Sequence, residues 1–284
     1  MDAVMKQTWK YLLVDVDGTL LDSQGRISDR ARRVLARAVE AGVTLVLASG
    51  RTYHSLQRVS ADLDLPFHMI SNGGAVGLEP GLTRVSYTRF MAPELWPDVV
   101  RRLRAAGLST AVYSHDHPAP SRFYIESERG DPHFEAYLER HRERALFVPD
   151  LAEARIPQVV EVAALGAGET FDAASSQVMA GMNGRATSHS MVLFINANFG
   201  KITEFFSAGT SKWRAFLGMF PEAADHLDSV VAIGDEANDM EMIRAAGMGI
   251  AMGNATAACK AVADRVTLEN DRDGLAAALE EFWG

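Results

Sequence analysis

Hydrophobic and polar positions follow two rhythms in the first quarter of this chain. Apolar runs at 11–16, 43–48 and 67–71 are separated by stretches, about Asp29 to Ala41 and Tyr53 to Leu63, in which apolar residues recur every three or four positions. Continuous apolar runs of that length fit strands buried on both faces, and the 3.6-residue period fits amphipathic helices. Strand–helix alternation with short connections predicts a parallel sheet. The first helix carries its own punctuation. Ser28 is placed to cap it and Gly42 to end it, while Val34, Leu35, Ala38 and Val39 make one apolar face. From about Gly81 the texture changes, because seven of the ten prolines fall between residues 81 and 205 and the charged helices there are more basic. Within that stretch Met191–Ile195, a turn from Asn196 to Gly200 and Lys201–Phe206 predict a hairpin, hence an antiparallel component. After Gly209 the alternation returns, with strands at 230–234 and 248–252. The expected fold is therefore α/β, a doubly wound and mostly parallel sheet formed by residues 1–80 and 206–284, with an inserted α+β domain at 81–205.

The candidate chemistry sits where the apolar runs stop. Leu12-Leu13-Val14-Asp15-Val16-Asp17-Gly18-Thr19-Leu20-Leu21 sets two carboxylates one residue apart at the end of the first strand, followed by the smallest residue and a hydroxyl. Open α/β sheets bind ligands at that end. Two acids at i and i+2 point the same way unless the chain turns between them, and like charges so close resist joint ionisation unless a cation sits nearby. The same grammar recurs in Ser229-Val230-Val231-Ala232-Ile233-Gly234-Asp235-Glu236-Ala237-Asn238-Asp239. Between them, Leu45-Val46-Leu47-Ala48-Ser49-Gly50-Arg51 ends a strand in a hydroxyl and a glycine, and Lys212 stands behind Thr210-Ser211 at a helix start.

Taken in order, these four segments resemble the haloacid dehalogenase superfamily, and in particular its Cof-type (class II cap) sugar-phosphate phosphatases. The likeness covers roughly 11–76 and 203–274, and includes Ser71-Asn72-Gly73-Gly74, Gly249-Ile250-Ala251-Met252-Gly253-Asn254-Ala255, Asn270 and Asp273-Gly274. At one place the chain departs from the pattern, with Trp213 after Lys212 where these proteins commonly have glycine. The resemblance implies a Rossmann-like core with an inserted cap that closes over the strand ends and sets specificity. It implies a Mg²⁺-dependent phosphomonoesterase acting on a small phosphorylated metabolite, a sugar phosphate for preference, through an aspartyl-phosphate. Asp15 would then be the nucleophile and Asp17 the general acid and later base. Ser49, the Gly50 amide, Lys212 and Asn238 would contact the phosphoryl group. Asp15, the main-chain carbonyl of Asp17 and Asp235 would ligate Mg²⁺, with Asp239 held close to the metal. A phosphomutase would share every one of these residues. A non-catalytic phospho-acceptor or nucleotide-binding module is the reading from another class, weakened by the complete acid, hydroxyl, lysine, acid set and by the absence of a Gly-x-Gly-x-x-Gly turn after the first strand.

Composition narrows the partners. With 28 Lys+Arg against 37 Asp+Glu the formal charge is −9, which repels nucleic-acid phosphates and anionic membranes, so neither is expected as a partner. The single cysteine, Cys259, excludes an internal disulfide framework, and no run reaches membrane-spanning length. Met1 to Lys10 lacks a secretory pattern, which leaves the cytoplasm as the expected compartment. Several other features read as ordinary structure. Arg101-Arg102-Leu103-Arg104 and Arg140-His141-Arg142-Glu143-Arg144 fit solvated helix faces, and His115-Asp116-His117 fits a loop. Met240, Met242, Met248 and Met252 fit core filling, and Arg185, His189, Asn196 and Asn198 are polar residues of the insert without an assigned role.

Overall fold

The computed structural model describes residues 9–284 apart from 83, 117, 119–121 and 196–197, with backbone alone at 58, 60, 192–195 and 198–199. His117, Asn196 and most of the Met1–Lys10 segment thus lie outside the described residues. The chain divides into two compact units, one made of residues 1–88 with 211–284 and the other of 89–210. The breaks expected from composition fell at 80/81 and 205/206.

The first unit opens with β1 (Tyr11–Asp15), α1 (Asp29–Glu40), β2 (Thr44–Ala48), α2 (Tyr53–Leu63), β3 (His68–Ser71), β4 (Val76–Leu78) and β5 (Val85–Thr88). The second contains α3 (Leu95–Ala105), β6 (Ser109–Ser114), β7 (Arg122–Ile125), α4 (Pro132–Arg140), β8 (Ala145–Phe147), β9 (Val159–Gly166), α5 (Gly168–Ala180), β10 (Ala186–Ile195) and β11 (Asn198–Ser207). The chain then returns to the first unit with α6 (Lys212–Met219), β12 (Val230–Gly234), α7 (Met240–Ala245), β13 (Met248–Ala251), α8 (Ala257–Lys260), β14 (Arg265–Val266) and α9 (Gly274–Trp283).

Eight strands of the first unit form one sheet in the order β14-β13-β12-β1-β2-β3-β4-β5. It is parallel from β14 to β3, and β4 and β5 add an antiparallel margin that the sequence pattern did not reveal. The β4–β5 pair carries the unit past residue 80, because Val76–Leu78 and Val85–Thr88 complete the sheet rather than begin the insert. Strand β1 is central. Leu12, Leu13 and Val14 are wholly buried, each side chain contributing about 1.5–3 kcal/mol by its removal from water. This burial holds Asp15 at the strand's carboxyl end. The Ser28 hydroxyl accepts from the Ala31 amide and starts α1, whose buried face is Ala31, Val34, Leu35 and Ala38. Val39 sits at the margin of that face, half-buried, and Ala31 completes it one turn earlier. Met242 and Met252 are fully buried, as core filling requires, whereas Met240 and Met248 are half-buried.

The second unit has its own six-stranded sheet, β10-β11-β9-β6-β7-β8, antiparallel except for the β7–β8 pair. Trp96, Val99, Val100 and Leu103 of α3 and Phe171 and Val178 of α5 pack with Val112, Val162 and Phe205 of the sheet into a separate core. The expected hairpin is present and longer than its apolar stretch. Its pairing runs from Ala186↔Ser207 to Ile195↔Asn198, because polar Thr187, Ser188, His189 and Ser190 extend β10. Arg101, Arg102 and Arg104 form ion pairs with Glu153, Asp98 and with Glu126 and Asp150, in keeping with a solvated face. Arg144 departs from that reading, since it is buried. Arg185 is committed to Asp98 within the same unit.

Candidate active site

Three strand ends of the first unit carry the site. Strand β1 stops at Asp15 and the chain turns at once: the Leu20 and Leu21 amides donate back to the carbonyls of Asp15 and Val16, and Gly18 takes φ +76°. A β-carbon at Gly18 would stand 2.4 Å from Oδ2 of Asp235, so only glycine permits the approach of these two loops. The turn separates the two aspartates that a continuous strand would aim together. Asp15 points into the protein, buried, while the Asp17 carboxylate is half-exposed and is held by Arg51.

Strand β12 ends at Gly234 and leads into Asp235, Glu236 and a short 3₁₀ turn, Ala237–Asp239. The Asp239 Oδ2 accepts from the amides of Asp235 and Glu236, both at 3.0 Å, which fixes the turn. Its Oδ1 accepts from Lys212 Nζ at 2.6 Å, and the same ammonium donates to Asp15 Oδ1 at 2.6 Å. Asn238 Oδ1 lies 3.5 Å from that nitrogen. Lys212 is 1% exposed at the first turn of α6, which the Ser211 hydroxyl caps by accepting from Arg214. Trp213 is buried against Phe216 and leaves this helix start regular.

The electrostatics follow from the carboxylate count. One ligand atom from each of Asp15, Asp235 and Asp239 lies within 4.8 Å of the others, all three residues are buried, and Lys212 is the ammonium among them. Burial first, then the Asp239 charge, pushes Asp15 well above the usual carboxylate range against the pull of Lys212. Burial and Asp239 likewise push Asp235 up to about 7. Burial alone would favour a neutral Lys212, but Asp15 and Asp239 outweigh it and hold the ammonium above its ordinary value. Three carboxylates share one ammonium in a dry setting, so ionising all of them is costly, and a divalent cation would offset that cost.

The donor set fits such an ion. Oδ2 of Asp15 is buried without a hydrogen-bond partner. Asp235 is oriented by the Thr19 hydroxyl at 3.1 Å and the Asn254 amide at 3.3 Å. Hard carboxylate oxygens with no sulfur or imidazole suit a hard cation. Asp239 differs in that both its oxygens already accept hydrogen bonds, Oδ1 from Lys212 and Oδ2 from two amides.

Ser49 is buried at the end of β2, adjacent to β1. Its Oγ accepts from the Arg51 amide at 3.0 Å, and its hydroxyl hydrogen remains to be donated. Gly50 follows beside it. Arg51, Thr19 and Asn254 carried no assignment from sequence. The signal for Arg51 was present, as a cation directly after a strand-end Ser-Gly. Asn254 also donates to the Gly18 carbonyl at 2.9 Å, a contact 236 positions away that no local pattern encodes. A groove of about 280 Å³ lies away from these residues, lined by Ile250, Arg265, Val266, Leu268, Ala278 and Glu281, and has no comparable ionisable cluster.

Comparison with known proteins agrees with this architecture. The family model of haloacid dehalogenase-like hydrolases matches residues 12–279. The 5-amino-6-(5-phospho-D-ribitylamino)uracil phosphatase YcsE of Bacillus subtilis (strain 168) is 24% identical over 96% of this chain and 95% of its own length. Phosphatase YwpJ of the same organism is 26% identical over 96% of this chain and 99% of its own. A solved haloacid dehalogenase-like hydrolase from Bacteroides thetaiotaomicron superposes with a TM-score of 0.76 at 27% identity, covering 96% of this chain and 99% of that one. With two acidic strand ends, a buried lysine between them and a family match over nearly its whole length, the chain belongs to the haloacid dehalogenase-like hydrolases.

Proposed function

We propose that this protein is a Mg²⁺-dependent phosphatase that hydrolyses the phosphomonoester of a small metabolite through an aspartyl-phosphate on Asp15. The observation that carries this reading is the state of the Asp15 carboxylate: one oxygen is held by Lys212, the other is buried and unbonded, and the residue shares a buried carboxylate cluster with Asp235. A binding module has no need of a carboxylate presented in that way.

In this reading Asp15 attacks phosphorus, and Lys212 offsets the charge that would otherwise repel the phosphate dianion. At 4 Å that repulsion is about 1 kcal/mol per pair of unit charges in water and several times more in a partly dry cleft. The Ser49 hydroxyl and the Gly50 amide donate to phosphoryl oxygens, with Asn238 beside the lysine. Asp17 gives a proton to the leaving oxygen and then takes one from the attacking water. Asp15, Asp235 and the main-chain carbonyl of Asp17 would hold Mg²⁺, with Asp239 orienting them. The ion supplies Lewis-acid stabilisation of phosphoryl charge. The second unit, residues 89–210, is the part we assign to substrate choice.

The phosphatase names of the relatives and their nearly full-length coverage support a phosphorylated metabolite as substrate, sugar phosphates being the first class to try. Among the described residues no helix is long and apolar enough to cross a membrane; a cytoplasmic setting is part of the proposal. The test is a panel of phosphorylated metabolites with the chelated protein, with and without added Mg²⁺, reading free phosphate. Release that depends on Mg²⁺ and needs no bisphosphate activator is expected. Full activity in excess chelator would remove the metal from the reading.

A further inference from the structure

Arg51 stands in an arrangement that stability does not explain. Its Nε and Nη2 donate to Oδ2 and Oδ1 of Asp17 at 2.8 and 2.5 Å, a two-point fork that fixes both the place and the plane of a carboxylate. Both side chains are more than a third exposed, and ion pairs so exposed add little to folding. Yet the backbone of Arg51 is fastened on both sides. Its amide donates to Ser49 Oγ at 3.0 Å, and its carbonyl accepts from the Asn72 amide at 2.9 Å. The Gly73 amide donates to the Ser49 carbonyl at 3.1 Å. Asn72 is buried and takes φ +48°, a left-handed conformation that a residue with a side chain rarely adopts. This turn thus holds an arginine whose side-chain hydrogen bonds, among the described residues, go to one carboxylate at the candidate site.

We propose that Arg51 is a positioning residue for Asp17, held for that task by the Asn72–Gly73 turn; the proposal rests on the phosphatase reading above. In the first step an Asp15 oxygen bonds to phosphorus, the bond to the leaving oxygen breaks with its electron pair, and that oxygen takes the proton of the Asp17 carboxyl. In the second, the oxygen of water bonds to phosphorus and its proton passes to Asp17. The bond between phosphorus and Asp15 then breaks and restores the carboxylate. Asp17 must therefore face the same point twice. A carboxylate has about four acceptor sites, and the fork occupies one on each oxygen, which fixes the plane of the group and leaves acceptor capacity on both oxygens. Misplacing such a group by about 1 Å costs on the order of 10²-fold in rate.

The test compares Arg51→Ala and Arg51→Lys with the wild type on an alkyl phosphate, glycerol 3-phosphate, and on 4-nitrophenyl phosphate, whose leaving group needs no proton. For Arg51→Ala, kcat on the alkyl ester should fall about 10²-fold with KM within roughly threefold. Single-turnover phosphorylation by the aryl ester should fall less than about tenfold, and a phosphoenzyme should accumulate after rapid acid quench, because water activation is also impaired. Arg51→Lys keeps the charge without the fork and should recover only part of the loss. Adding Arg51→Ala to Asp17→Asn should cost nothing further, since both remove one function. Loss confined to KM, equal loss on both esters in single turnover, full recovery by lysine, or additive losses in the double variant would each overturn the assignment. Should Arg51→Ala fail to melt as a folded protein, the lysine variant alone decides through the same two esters. Where the wild type spares glycerol 3-phosphate, the best alkyl ester of the metabolite panel takes its place, and a wild type that releases phosphate from no ester of that panel would sink the phosphatase reading instead.

Discussion

At the scale of single residues the site is a contest between desolvation and charge. Asp235 is pushed up to about 7 by burial and by Asp239, whereas an unfolded aspartate titrates near 3.8. Between those values the folded, metal-free protein keeps a proton that the unfolded chain has lost, so stability falls as pH rises from about 4 to about 7 and the full penalty persists above. Metal-free Asp235→Asn should accordingly melt above the metal-free wild type at pH 8, with the gap closing towards pH 4. Calorimetry across that range checks this, and a gap independent of pH would refute it. Lys212 faces the opposite balance. Removing one partner of a buried ion pair leaves uncompensated charge and costs about 3–5 kcal/mol, and loss of a charge stabiliser from a phosphoryl-transfer site costs on the order of 10²-fold or more in kcat/KM. Lys212→Ala should show both, by chemical denaturation and by steady-state kinetics.

Elements place these residues through turns as much as through strands. The turn after β3 presses against the start of α6, and a β-carbon on Gly74 would lie 2.2 Å from the Ser211 carbonyl and 2.8 Å from the Lys212 amide. Gly74→Ala should therefore displace the lysine helix and lower stability by several kcal/mol, with activity falling in parallel. Gly25 offers the control. It shares the left-handed φ, at +74°, but has nothing within 4 Å of an added β-carbon, so Gly25→Ala should cost only about 1 kcal/mol and leave activity intact. Melting temperatures of the two variants check the contrast. Similar losses in both would mean that the close approach at Gly74 is not what matters.

At the scale of the whole molecule the chain is interrupted. The central strand β1 pairs with β12 on one side and β2 on the other, and β12 arrives only after residue 210. Residues 1–88 alone would expose one edge of their most buried strand and should not fold. Residues 89–210 hold a complete sheet and a core of their own, and should fold alone. Circular dichroism and amide exchange of the two fragments test this. Metal adds a second whole-molecule prediction. An ion that binds only the folded chain at 100 times its Kd stabilises by about 2.7 kcal/mol, so Mg²⁺ should raise the melting temperature of wild type but not of Asp235→Asn.

Local pattern was enough for much of this protein. The apolar runs at 11–16, 43–48 and 230–234 mark β1, β2 and β12 almost to the residue, because a strand buried on both faces tolerates no polar interruption. The Ser28 cap and the α1 face were legible because capping and helical periodicity act within a turn. The acid, hydroxyl and lysine of the site could be read because each stands at a strand end or helix start. What local pattern could not carry was pairing at a distance. Strands β4 and β5 were missed because short strands at a sheet margin, half-exposed in β5, leave only a weak alternation. That Asp15 would meet Lys212 197 positions away, that Asp239 would spend both oxygens on neighbours, and that Asp17 would turn from Asp15 to Arg51 were decided by the tertiary structure. A residue's type and spacing record what it can do chemically, but its partner depends on which strand ends the folded sheet brings side by side.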